Sequence, residues 1–287
     1  MKLLTEVLKG MVIGLANIIP GVSGGTMMVS MGIYDTLIHC ITHLFEEFKK
    51  SILTLLPYAI GMVAAVVGLS FVIEFLFDHY PLPTNTAFIG LILGGLPIIA
   101  RHVKGGKQKN GLVGGVLFAA FFALIIVLQI LGEGSGQSVA ITLSLGQIVI
   151  LLLIGMLASA TMVIPGVSGS MMLMLLGYYD PVISSISGLV KALMAGEWAA
   201  VGYNVGVLLP FGLGIVLGIF AVAKLIEVLI AKWEGYTYCA ILGLVCASPV
   251  AILMSTSFAN LSVWLVLASL VTFGAGFYAA YWLGKKE

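Results

Sequence analysis

The sequence predicts an all-α integral membrane protein: six transmembrane helices plus two re-entrant helical hairpins in an inverted-topology tandem repeat. Three observations predict it. Of the 287 residues, 61% are hydrophobic and 9% charged, with a mean hydropathy of +1.18, and a water-soluble domain of that length could not cover so much apolar surface. The chain repeats itself, at an offset of 145 that widens to 153. Its basic residues are gathered in a few short segments, which sets the sidedness of the loops between apolar runs.

The N-terminal stretch MKLLTEVLKGMVIGLANIIPG carries Lys2 and Lys9 before an apolar run. Glu6 interrupts that run and the apolar pattern continues past Pro20, so a cleaved signal peptide is not expected. Shifting the chain by 145 positions lays Pro20, Gly21, Val22, Ser23, Gly24, Gly32, Tyr34 and Asp35 on Pro165, Gly166, Val167, Ser168, Gly169, Gly177, Tyr179 and Asp180. With the shift widened to 153, Glu74 meets Glu227, LLPYAIG from Leu55 meets LLPFGLG from Leu208, and AFIGL from Ala87 meets AILGL from Ala240. The reading is two copies, 1–133 and 146–287.

Each copy holds a motif segment and then three apolar runs, near 52–77, 84–100 and 111–131 in the first and 203–230, 237–256 and 261–283 in the second. Each run suffices to span a bilayer, which takes about 20 helical residues. The motif segments run with little charge from Met11 to Phe45 and from Leu145 to Val190. One straight helix of that length, at about 1.5 Å per residue, overshoots a hydrocarbon core of about 30 Å, and the Pro-Gly and Gly-Gly steps give it a place to break.

Charge placement decides how the motif segments cross. Arg101, Lys104, Lys107 and Lys109 mark one short loop as cytoplasmic, while the loops at 132–145 and 256–261 lack Lys and Arg and are placed outside. Counting spans from there puts the Glu46–Lys50 loop inside with the N-terminal lysines, so the first motif segment enters and leaves on one face. The same count makes the second a hairpin from the outside and returns Lys285 and Lys286 to the cytoplasm. Three crossings per copy is odd, so the copies are expected to be inverted.

The two tips, PGVSGG at 20–25 and PGVSGS at 165–170, put non-helical backbone at membrane depth, which survives only when buried in protein or lining a wet cavity. Half-helices starting beyond them would aim free backbone amides at the bilayer centre, with serine hydroxyls beside them. The expected anion site comprises Ser23, Gly24, Gly25, Thr26, Ser168, Gly169 and Ser170, with Asn17 before the first tip. Two such tips approached from opposite faces suit an alternating-access carrier with its substrate near the midplane.

Glu74, Glu227, Asp35 and Asp180 are candidates for ion or proton coupling, because an acid in a spanning segment marks a functional position by default. For Asp35 and Asp180, which follow the tips by about ten residues, capping or anchoring is the competing role; Lys224, one turn from Glu227, is a natural partner for it. The Gly-x-Ser-Gly pattern also occurs at serine nucleophiles, but His39, His43, His79 and His102 all lie in the first copy near predicted membrane surfaces and none is placed as a base. No P-loop motif is present. Cys40, Cys239 and Cys246 are scattered without a CxxC, so neither a disulfide framework nor a metal site is expected, and the net charge of +1 suggests no nucleic-acid partner.

The string GLANIIPGVSGGTM followed by GIYD, with PGVSGS and GYYD in the second copy, resembles the bacterial polyprenyl-phosphate transporter family, and the resemblance covers nearly the whole chain. It implies a flippase that moves undecaprenyl phosphate from the outer to the cytoplasmic leaflet for reuse in cell-wall synthesis, without covalent chemistry or cofactor. The implied location is the bacterial cytoplasmic membrane with both termini cytoplasmic, and the implied partner is the lipid substrate; a homo-oligomer is compatible with it. The alternatives are a small-anion transporter and a membrane enzyme acting on a lipid phosphate.

Overall fold

A computed structural model of the chain describes residues 2–18, 22–105, 111–132, 138–256, 258 and 262–284. Among them helices and connecting turns account for everything, with no strand. The first copy holds α1 (Lys2–Ile18), α2 (Gly24–Ser30), α3 (Tyr34–Thr42), α4 (Phe48–His79), α5 (Pro81–Gly105) and α6 (Leu112–Gly132). The second holds α7 (Leu145–Val163), α8 (Gly169–Leu175), α9 (Tyr179–Ala195), α10 (Trp198–Met254) and α11 (Val263–Gly284).

Helices α4, α5, α6, α7, α10 and α11 are long and apolar enough to cross a membrane. The chain is an all-α integral membrane protein. The count of six is reached differently from the sequence reading. Helix α10 contains two of the expected runs joined across a kink at Trp233 (φ −138°, ψ 52°), and α7 is the first arm of the second motif segment.

The kink has a counterpart 153 positions earlier: Tyr80 (φ −136°, ψ 54°) separates α4 from α5. At each break a threonine four residues on closes the gap with one hydroxyl. Thr84 donates to the carbonyls of Leu76 (3.2 Å) and Tyr80 (2.7 Å), and Thr237 to those of Leu229 (3.1 Å) and Trp233 (2.9 Å). Pro81 follows the first break and Glu234 the second, so the threonine, not the missing amide of proline, is the shared device.

The motif segments bend at two glycines. Gly32 (φ 73°) and Gly177 (φ 74°) occupy the left-handed region that only glycine enters at little cost. Both turns are closed alike, by Ile33 N–H to the Met28 carbonyl (3.0 Å) and Tyr178 N–H to the Leu173 carbonyl (2.9 Å), the six-to-one bond of a Schellman stop. Helices α8 and α9 meet there at 108°.

Packing is arranged by close glycine crossings. Helix α1 lies on α4 and α7 on α10. A Cβ at Gly10 or Gly61 would stand on the backbone of Tyr58 or Val7, and one at Gly155 or Gly214 on the backbone of Phe211 or Leu152. Those four contacts are equivalent pairs under the repeat. The last helix of each copy then packs on the other copy: α11 on α5, where Gly90 meets the Phe273 carbonyl, and α6 on the second limb of α10, where Gly243 meets that of Phe118. The main buried core surrounds the first tip, with Ala16, Met27, Met31, Ile33, Ile92, Ile99 and Val245 nearly inaccessible. Leu112, Trp264 and Val271 remain exposed on outer faces, as residues facing lipid chains do.

These crossings predict the cost of a side chain. Gly155→Leu should lower the detergent-solubilised thermal midpoint sharply, since overpacking costs about 1–3 kcal/mol or more where backbone must move. Gly115→Leu, where an added Cβ meets nothing within 4 Å, should leave it unchanged, and equal effects of the two would refute the crossing.

Candidate functional site

The two tips meet. Thr26, fully buried in the first turn of α2, accepts a hydrogen bond at its hydroxyl oxygen from the Gly166 N–H of the other tip at 2.7 Å. Tyr34 at the start of α3 donates its hydroxyl to the Val163 carbonyl at 3.1 Å. Gly166 sits at φ 85° with its Cα against Leu244, so a side chain there is excluded by both conformation and space. Gly25 lies against the backbone from Met162 to Pro165, which explains why the first tip has glycine where the second has Ser170.

Beside this junction lies a cavity of about 270 Å³. Its polar wall is Asn17, Ser23, Gly24, Ser168, Gly169, Ser170 and Tyr179; its apolar wall includes Met162, Leu173, Val182, Ile186, Phe211 and Ile215. Among the described residues that line it there is no Asp, Glu, Lys, Arg or His. Ser168 and Ser170 hydroxyls are paired at 2.9 Å. Ser23 is 4% exposed, and its hydroxyl oxygen is buried without a hydrogen-bond partner among the described residues. A buried hydroxyl left unpaired costs about 1–3 kcal/mol, which sets Ser23 apart from the paired hydroxyls of Ser168 and Ser170.

Six of the eight expected anion-site residues line this space together: Asn17, Ser23, Gly24, Ser168, Gly169 and Ser170. Gly25 and Thr26 are not in its wall, being used in the contact between tips. Pro20 and Gly21 lie outside the described residues. The expected acids are elsewhere. Asp35 accepts the Tyr238 hydroxyl on both oxygens at 2.7 Å, Asp180 accepts from Ser138 at 2.9 Å, and the Glu74 side chain lies outside the described ones. Lys9 is buried in α1 and donates to the Met31 carbonyl at 3.2 Å.

Glu227 joins α10 to α3. One of its oxygens is 3.3 Å from Nδ1 of both His39 and His43, and the other is 2.8 Å from the Lys224 ammonium. The three ligand atoms of His39, His43 and Glu227 lie within 4.8 Å of one another. His102 stacks on Tyr238 at 4.4 Å and His79 bonds the Phe75 carbonyl. None of the four histidines lines the cavity with Ser23 or Ser168, so no serine–base pair is formed there.

A second cavity, of about 390 Å³ and almost wholly apolar, is walled by Ile13, Met28, Leu37, Ile41, Tyr58 and Met62 together with Val216, Ile219 and Phe220 of α10. The first six are the repeat counterparts of Ala158, Leu173, Val182, Ile186, Phe211 and Ile215 in the wall of the first cavity. The two cavities are the same groove in the two copies. In the second copy the groove reaches both tips; in the first no described tip residue lines it. These apolar walls escaped sequence reasoning, although the repeat offset, applied to the helices flanking each tip, would have paired them.

The contact between tips is testable. Thr26→Val removes the acceptor and strands the Gly166 N–H, which should cost about 1–3 kcal/mol and lower the thermal midpoint by several degrees, while Thr26→Ser should restore it. An unaltered midpoint in the valine variant would mean that the bond is not made.

Comparison with known proteins then places the chain. It is 32% identical over 282 residues to a polyprenyl-phosphate transporter of Staphylococcus aureus (strain NCTC 8325 / PS 47), covering 98% of this chain and 95% of that one. It is 29% identical over 260 residues to a polyprenyl-phosphate transporter of Vibrio cholerae serotype O1 (strain ATCC 39315 / El Tor Inaba N16961), covering 85% and 75%. Both relatives carry the names of transporters, not of enzymes. No solved structure matches. The family model described as undecaprenyl phosphate translocase-like matches residues 13–264, and with that match across most of its length the chain belongs to the undecaprenyl phosphate translocase-like family.

Proposed function

We propose that the protein is a polyprenyl-phosphate transporter that carries undecaprenyl phosphate from the outer to the cytoplasmic leaflet, returning a carrier lipid for cell-wall synthesis. The observation that carries this reading is the cavity at the paired tips, lined by Ser23 of the first tip and by Ser168 and Ser170 of the second. A phosphomonoester bears about −1.5 to −2 charges near neutral pH and cannot cross hydrocarbon bare. The tip cavity offers it hydroxyls, the Asn17 amide and the first-turn N–H groups at Gly24 and Gly169, while the apolar wall lets the isoprenoid tail remain in a hydrophobic surround.

The absence of a cation in that wall suits a carrier. Lysine or arginine pairing roughly doubles the strength of a hydrogen bond to phosphate, and a site that must release its cargo on the far side gains from neutral donors. The equivalence of the two grooves supports alternating access between copies 1–133 and 146–287: the groove that reaches the tips serves one leaflet, and its counterpart in the first copy serves the other after rearrangement. The basic loop with Arg101 and Lys104 supports cytoplasmic termini. Ion coupling, in this reading, falls to Glu74, Glu227, Asp35 or Asp180.

In proteoliposomes with leaflet-resolved detection of a polyprenyl phosphate, the wild-type protein should move intact lipid between leaflets. Ser23→Ala combined with Ser168→Ala should slow it at least about tenfold, since a hydrogen bond to a charged group is worth about 1.5–3 kcal/mol, at unchanged protein level. Full activity in the double variant would remove the tips from the mechanism. Competition by short-chain phosphates as strong as by the long-chain lipid would favour a small-anion transporter.

A further inference from the structure

The cluster of His39, His43 and Glu227 lies outside the tip cavity, and we propose that it is a binding site for a divalent transition metal of the zinc type that ties the first hairpin to α10. His39 and His43 are one helical turn apart, in α3 and at its C-cap, and both present Nδ1 to the same Glu227 oxygen at 3.3 Å. A tetrahedral ion with nitrogen and oxygen ligands at about 2.0–2.1 Å keeps neighbouring ligand atoms roughly 3.3–3.4 Å apart. The two separations therefore already match those around such an ion. Two imidazoles and one carboxylate, with a position left for water, form a ligand set that zinc takes readily and that magnesium and calcium, which prefer oxygen, do not.

The surroundings help. The Lys224 ammonium holds the other Glu227 oxygen at 2.8 Å, which leaves the first oxygen for an ion and fixes the carboxylate as an outer partner does. The Thr42 hydroxyl and the His39 carbonyl lie 3.0 Å and 3.2 Å from His43 Nδ1, and both contacts would have to yield to the ion. The ligand side chains are 50%, 24% and 22% exposed, so an ion has access. The repeat counterparts of His39 and His43 are Ser184 and Gly188; the second copy has no such pair. Sequence reasoning had no basis for the site because Glu227 is 188 positions from His39.

The site joins the two elements that wall the apolar cavity of the first copy. Leu37 and Ile41 line it from α3, Leu44 from just beyond, and Val216, Ile219 and Phe220 from α10, two to three turns before Glu227; the Phe45 ring also stacks on Phe220 at 5.6 Å. An ion bound across α3 and α10 holds that groove in its present form. If the alternating-access reading of the tips is right, metal binding slows transport.

The test separates these statements. Detergent-purified full-length protein, with no lipid substrate present, is titrated with Co²⁺ and read by its visible absorption, then back-titrated with Zn²⁺. The expected result is one equivalent with a tetrahedral spectrum, displaced by Zn²⁺, and weakened at least about tenfold in His39→Ala, His43→Ala and Glu227→Gln, with His79→Ala unchanged. Equal weak binding in all variants, as from ordinary hydrogen bonds among these side chains, overturns the site. In the proteoliposome assay Zn²⁺ should slow the wild type and spare His39→Ala; binding without any change in rate overturns the clamp. A metal-free protein that moves no lipid overturns the proposed function and leaves the absorption result standing.

Discussion

Every backbone amide and carbonyl that leaves a helix inside a bilayer must find a partner within the protein, and the contact between the tips meets that demand. Unsatisfied peptide groups in hydrocarbon cost several kcal/mol each. Thr26 serves the Gly166 amide and Tyr34 the Val163 carbonyl, each across copies, so neither broken segment is satisfied alone. Both hydrogen bonds depend on close approach, and the glycines at 25 and 166 provide it by leaving the space between the backbones free. The same economy operates at the other breaks, where Thr84 and Thr237 each bind two carbonyls with one hydroxyl.

Against this shared frame the two tips depart from symmetry at particular residues. Thr26 faces Met171 across the repeat, Gly25 faces Ser170 and Asn17 faces Met162. The first tip spends its hydroxyl at Thr26 on the second tip. The second tip, freed of that task, keeps Ser168 and Ser170 in the cavity wall, where Ser23 of the first tip also stands without a partner. The first tip thus braces the second, and residues of both line the cavity, an arrangement that two identical tips could not produce.

The polar residues outside the cavity divide by what they touch. Asp35 is saturated by Tyr238, which in turn is covered by the His102 ring, and this ties the first hairpin to the second limb of α10. Glu227 ties it to the first limb through His39 and His43. Helix α3 is therefore held at both ends to one long kinked helix of the other copy, while α9 is bent from α8 at 108° along a groove that opens to the tips.

By itself the sequence determined the membrane class, the positions of the apolar runs, the repeat and the location of the two tips. Each of these rests on composition or on local spacing: hydrophobic length sets a span, and glycine, proline and serine at fixed offsets set a break. It also named six of the residues that line the cavity, because a tip at membrane depth must expose its small polar side chains to something other than lipid. Only the tertiary structure decided which hydroxyls remain free. Thr26 and Ser23 are equally polar in the sequence, and the difference between them is made by Gly166, 140 positions away from Thr26. The pairing of Glu227 with two histidines, the exchange of α6 and α11 between copies, and the apolar walls of the two grooves were likewise set by packing between distant segments, where the local pattern of a spanning helix, apolar on every side, gives no direction.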